Sequence, residues 1–101
     1  DKETLKRILT EPKNSLIKQF TKLIEVEGIK LKVSPQAIDY IAERTVDLKT
    51  GARGLRALFE HIMLDYMYDI PSQNKIKVIN LDLKFVKSKL AELRIEENKV
   101  A

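Results

Sequence analysis

At Gly28 the hydrophobic repeat of the chain changes period, and that change constrains the fold more than any other feature. Before it, Leu16, Ile17, Phe20, Leu23 and Ile24 recur at the one, four, seven and eight spacing of an amphipathic helix. Pro12 suits the first turn of that helix and Gly28 its end. After it, Ile29, Leu31 and Val33 alternate with Lys30 and Lys32, the period of two that marks a half-buried strand. The alternation returns once, in Lys75-Ile76-Lys77-Val78-Ile79. The two lysine-flanked strands are expected to pair in an antiparallel manner. Two lone strands are unstable without support, so the expected class is α+β, with four to five helices packed on one face of a small sheet of two to three strands.

The remaining segments supply those helices. Leu5, Ile8 and Leu9 give a short helix over residues 2–10 that must end before Pro12. Ser34-Pro35 reads as a cap followed by a proline at the first helical position, and Ile38, Ile41, Ala42 and Val46 face inward from the helix it opens. A fourth helix runs from the stretch around Gly51 to about Asp69, with Leu55, Leu58, Phe59, Ile62 and Tyr66 on one face. Ala57, Leu64, Met67 and Tyr68 fall on its Arg53 side, so beyond its first turns this helix is apolar nearly all round. Such a helix is central to its domain or touches another surface. Residues 70–74 read as a loop. Leu83, Val86 and Leu90 suit a helix over 81–90, and Leu93 and Ile95 fit either a third strand or a continuation of that helix to Glu96. Residues 97–101 read as a frayed tail.

Composition removes several function classes. A chain of 101 residues forms one domain spanning 1–101. It has no cysteine and one histidine, which excludes disulfides, cysteine nucleophiles and cysteine–histidine metal clusters and fits a reducing compartment. Its 19 basic and 15 acidic residues are mixed along the chain, with no basic block, which argues against a dedicated nucleic-acid surface. No apolar run has the roughly 18 residues of a membrane span. His61 lies two turns into a helix with Glu60 beside it and not facing it, as expected for a solvent or interface histidine.

One stretch resists a purely structural reading: Lys49-Thr50-Gly51-Ala52-Arg53-Gly54-Leu55-Arg56. Thr50 can cap a helix, Gly51 and Gly54 permit close approach, and Ala52 begins a good helical sequence. The arginines do not belong by this logic. A helix start carries partial positive charge, which disfavours each by roughly 0.3–1 kcal/mol when exposed. A nearby anion reverses the sign. Arg53 is therefore either an anion contact or the partner of a local carboxylate such as Asp47 or Glu60, and Arg56 flanks the inward face as a packing and surface-pairing residue. The stretch is not a phosphate loop, because the order of residues is wrong and no strand leads into it.

Ile8 to Asn14, Glu27-Gly28, Lys49 to Arg56 and Asp65-Tyr66-Met67-Tyr68-Asp69-Ile70-Pro71-Ser72 together closely resemble the C-terminal small domain of the ClpX family of hexameric AAA+ protein unfoldases. The blocks occur in the family's order and span nearly the whole chain. The resemblance implies that Gly51-Ala52-Arg53 is the sensor-2 motif, with Arg53 reaching the phosphates of nucleotide held by a large ATPase domain and Ile8 touching the adenine. It implies ATP or ADP with magnesium as cofactor of the full-length protein, with none bound by this chain alone. The implied partners are the large domains of the same and the neighbouring subunit of a homohexamer, protein substrates, and a peptidase engaged through the large domain, with no nucleic acid and no membrane. The implied location is the bacterial cytoplasm or an organelle matrix. Walker motifs, an arginine finger and pore loops are absent from these 101 residues, so the chain alone is expected to hydrolyse nothing. The HslU-type unfoldases share the Leu-Thr-Glu-Pro and Gly-Ala-Arg blocks and are the nearest alternative; a non-enzymatic helical interaction module is the alternative of another class.

Overall fold

In a computed structural model of the chain, the residues described are 1–11, 13, 15–69 and 78–100. Helix α1 (Lys2–Thr10) is capped by Asp1, whose carboxylate accepts the Thr4 amide at 2.8 Å, and it buries Leu5 and Leu9 one turn apart. It stops at Glu11, which is extended (φ −58, ψ 141) as the residue before a proline must be. Helix α2 (Leu16–Glu25) starts where its apolar stripe starts: Ser15 is the cap, accepting the Lys18 amide at 3.1 Å. The first-turn role expected of Pro12 falls outside the described residues. Helix α2 ends at Glu25, three residues before Gly28, whose φ of +75 turns the chain toward the sheet.

Strand β1 (Lys30–Val33) leads through Ser34, which caps α3 (Pro35–Leu48) as expected, accepting the Ala37 amide at 3.0 Å. Helix α4 (Gly51–Asp69) follows, then β2 (Val78–Leu81) and α5 (Leu83–Val100). The strands pair in parallel, in the register Lys30↔Val78 to Val33↔Leu81, which corrects the antiparallel expectation. With α3 and α4 between them the connection is a long crossover, and a crossover of that length delivers a parallel neighbour. Leu31, Val33, Ile79 and Leu81 turn toward the core, and Lys30 and Lys32 face solvent. Of the expected second strand, Val78 and Ile79 are strand as the alternation indicated, and the strand runs on to Leu81; residues 70–77, including the expected loop and Lys75 to Lys77, lie outside the described residues.

Two further expectations change. Asp82 accepts the Phe85 amide at 2.8 Å and so ends β2 and opens α5, where a helix had been expected from Leu81. Helix α5 then continues through Leu93 and Ile95 to Val100, so the sheet has two strands, and the helix bounds run on where a tail from Glu97 had been suggested. On α3, Val46 is 40% exposed, and Ala37 and Thr45 are buried beside Ile41 and Ala42 instead. The buried Thr45 hydroxyl is satisfied by donating to the Ile41 carbonyl at 2.8 Å.

Helix α4 is the spine of the core. Leu55, Phe59, Ile62 and Met63 are fully buried, and Phe59 meets Phe20 of α2 edge to face at 5.1 Å. Each such side chain contributes roughly 1.5–3 kcal/mol through burial. The first turns of α4 are thereby held rigid against α2 and α3.

Candidate functional site

The α3–α4 corner is built from two left-handed residues. Lys49, at φ 57 and ψ 33, closes α3 by donating its amide to the Val46 carbonyl at 3.0 Å, and Gly51, at φ +66, opens α4. A side chain at Gly51 would be strained by that backbone whatever space surrounds it. The Thr50 hydroxyl, expected as a cap, makes no bond to the helix amides among the described residues. Its side chain instead lies over Gly54, where a Cβ would collide with both the hydroxyl and the Cβ of Thr50. The close approach for which Gly54 is suited is therefore made by the preceding turn itself.

This corner sets Arg53 on the exposed side of the first turn of α4. Its guanidinium has no hydrogen-bond or ion-pair partner among the described residues. Both local carboxylates are occupied by other arginines. Asp47 takes Arg44 at 3.0 Å, and Glu60 takes the Nε of Arg56 at 3.1 Å. Arg56 also donates to the Gln19 side chain on α2 at 3.1 Å, so it ties α4 to α2 and pairs at the surface, as its position suggested. Of the two arginines in the motif, one is committed within the domain and the other is exposed and uncommitted. A free guanidinium at a helix start is suited to a phosphate or carboxylate from outside the chain, because its planar fork forms charge-assisted bonds.

Ile8 is half-buried on α1 and packs against the core. Its outer side lines an open groove of about 370 Å³ with Thr4, Arg7, Glu11, Lys13 and Ser15. A second groove of about 400 Å³ shares Glu11 and Ser15 and is walled by Ile17, Val33 and Ile38. Arg53 does not line either groove. The structure thus places an apolar-edged cleft at the α1–α2 corner and, at the α3–α4 corner, a cation unpaired among the described residues, as separate features. Among the described residues no group of three or more histidine, aspartate or glutamate side chains is arranged to hold a metal.

His61 is partly buried against α5. Its side chain is 21% exposed, and Nε2 lies 3.0 Å from the Lys89 carbonyl and 3.2 Å from the Glu92 carboxylate. Two acceptors on one ring nitrogen require that Nε2 carry the proton. Lys89 itself, absent from the sequence reading, is buried and holds Asp65 at 2.6 Å and Glu92 at 3.2 Å. Its hydrogen bond to Asp65 raises the ammonium pKa above the ordinary lysine value, against the opposing effect of burial. The linear signal for it was slight: Lys89 sits beside the Val86, Leu90 and Leu93 stripe of α5. At the other end of the domain, Lys2 pairs with Asp39 at 3.0 Å, and that bond lowers the Asp39 pKa and raises that of Lys2.

Comparison with known proteins gives one consistent result. Residues 1–82 match the family described as the C-terminal, D2-small domain of ClpB protein. The chain is 44% identical over 95 residues to the ATP-dependent Clp protease ATP-binding subunit ClpX of Bacteroides fragilis, an alignment covering 94% of this chain and 23% of that protein. The Bacteroides thetaiotaomicron ClpX is 44% identical over 101 residues, covering 100% and 24%. The ClpX of Azotobacter vinelandii is 45% identical over 83 residues, covering 82% and 19%. The chain spans about a quarter or less of the length of the curated relatives it matches.

Proposed function

The chain belongs to this family, as a ClpX-type C-terminal small domain of a Clp AAA+ ATPase, and from that premise we propose that it is the lid domain of an ATP-driven protein unfoldase. In this reading Arg53 is the sensor-2 arginine. It reaches the phosphates of nucleotide held by a large ATPase domain, and Ile8, on the rim of the α1 groove, meets the adenine. The observation that carries the reading is the state of Arg53, exposed in the first turn of α4 and without a partner among the described residues while Arg44 and Arg56 occupy Asp47 and Glu60. A helix start that disfavours a cation is best served when that cation neutralises an external anion.

The chemistry follows from what these residues hold. When bound, ATP with magnesium supplies the phosphoryl group whose hydrolysis drives unfolding. Arg53 makes charge-assisted bonds to phosphate that differ between triphosphate and diphosphate states. Helix α4, rigidly joined to the core through Phe59 and Ile62, carries any displacement of Arg53 into the whole domain. The exposed apolar side of α4 is the proposed contact with a neighbouring subunit's large domain in a homohexamer. Protein substrates and a peptidase partner are engaged by the rest of the full-length protein, in a bacterial cytoplasm or an organelle matrix. The helices described here include none long and apolar enough to cross a membrane.

The test is Arg53→Ala in the full-length ATPase. Loss of a charge-assisted bond of about 1.5–3 kcal/mol predicts a fall of about 10- to 100-fold in ATP turnover and in substrate unfolding, with the thermal unfolding of the small domain unchanged. Normal turnover in that variant would overturn the assignment.

A further inference from the structure

The α3–α4 corner carries two charges that their own helices disfavour. Asp47 sits in the last turn of α3, where the carbonyl pole repels an anion, and Arg53 sits in the first turn of α4, where the amide pole repels a cation. They are separated by one tight turn and have opposite signs. Pairing with each other would relieve both misfits at once. The structure shows a different choice: Asp47 is bound by Arg44 of its own helix at 3.0 Å, and Arg53 is left without a partner among the described residues. On the far side of Arg53 the same thing happens. Glu60 lies seven residues on, on the same face of α4, and Arg56 stands between them and holds it at 3.1 Å.

We propose that Arg44 is a positioning residue that keeps Arg53 available for phosphate by holding Asp47 away from it. The inference rests on the assignment of Arg53 above. Arg44 touches no nucleotide in this scheme; it prevents an internal salt bridge that would compete with the external anion. Its side chain is suited to the task, because it is only 20% exposed and so is less free to swing away than its partner, which is 53% exposed.

The test has two arms. In the 101-residue chain itself, the exchange of the Arg53 Nε proton with water, read by NMR, should be fast in the wild type. It should slow in Arg44→Gln as Asp47 captures the guanidinium, and recover in Arg44→Gln with Asp47→Asn. An Arg53 signal that does not change in Arg44→Gln overturns the proposal, whatever the domain does. In the full-length ATPase, Arg44→Gln should raise the KM for ATP about threefold with little change in kcat. Adding Asp47→Asn should restore it, Asp47→Asn alone should leave it unaltered, and Arg44→Lys should retain the wild-type value. A raised KM that Asp47→Asn fails to rescue means that Arg44 acts through packing and refutes the inference. If Arg53→Ala leaves turnover normal while the NMR arm behaves as expected, the sensor assignment fails and the internal competition stands.

Discussion

Lys89 shows how one residue can fasten two helices at a cost that pH reveals. Its side chain is only 8% exposed, yet it carries an ammonium, which burial disfavours unless anions face it. Asp65 from α4 and Glu92 from its own helix do so, and His61 adds a bond from α4 to the same Glu92 and to the Lys89 carbonyl. Because the folded state raises the Lys89 pKa, the protein binds this proton more tightly folded than unfolded. The stabilisation is complete below the ordinary lysine value of 10.5 and is lost as pH rises through the higher folded value. Alkaline denaturation above about pH 10.5 should therefore loosen the α4–α5 joint. Lys89→Met should remove that alkaline step from a plot of urea midpoint against pH, and a step that persists in the variant would assign it elsewhere. Asp39, paired with Lys2, has the opposite dependence, since its lowered pKa adds stability above the usual carboxylate range that is lost as pH falls through the folded value. Both members of the pair are open to water, so that contribution is small.

At the scale of elements, the start of α4 reverses an ordinary propensity. Alanine is a better helix former than glycine by about 1 kcal/mol, so Gly54→Ala in an exposed helix should stabilise. Here the new methyl group would meet the Thr50 Cβ, which belongs to no flexible end and cannot swing aside. We expect Gly54→Ala to lower stability by about 1–3 kcal/mol, measured as a reduced urea midpoint at unchanged m-value. A gain in stability would show that Thr50 can shift at no cost. That glycine was legible in the sequence as a site of close approach, but not what approaches it, because the collision depends on the Thr50 conformation at the corner. The cap at Ser34 and the stripes of α1 and α4 were equally legible, since they depend on neighbours within four residues; the α2 stripe was legible except at Leu23, which is 56% exposed although its spacing placed it inward. Strand direction was not, because it follows from the crossover through α3 and α4. Nor was the state of residues 93–95, where Leu93 and Ile95 about Arg94 are too few to separate a period of two from a helical one. In the candidate site, the misfit of Arg53 was visible from dipole chemistry alone. Its lack of a partner was not, since it depends on which of several arginines reaches Asp47 and Glu60.

On the scale of the whole molecule, the radius of gyration is 13.6 Å, near the roughly 13 Å of a compact domain of this length. The surface nonetheless carries apolar residues in line. Ala57, Leu64 and Tyr68 fall within about 40° of one another around α4 and within about 60° of Arg53. Leu64 is 47% and Tyr68 80% exposed, whereas Met67, expected on the same side, packs partly into the core. Isolated exposed apolar residues are ordinary, but a row on the helix that also presents the free arginine is the natural place for the proposed contact with a neighbouring large domain. Leu64→Glu combined with Tyr68→Lys separates folding from assembly. Neither side chain is buried, so the double variant of this chain should unfold within about 0.5 kcal/mol of the wild type. In the full-length ATPase the same pair should shift the proposed hexamer toward smaller species on size exclusion and lower ATP turnover in proportion, because a charge would have to be desolvated at the contact. A hexamer that survives with normal turnover would move the proposed subunit contact off this face of α4 and leave the proposed sensor role of Arg53 to stand by itself.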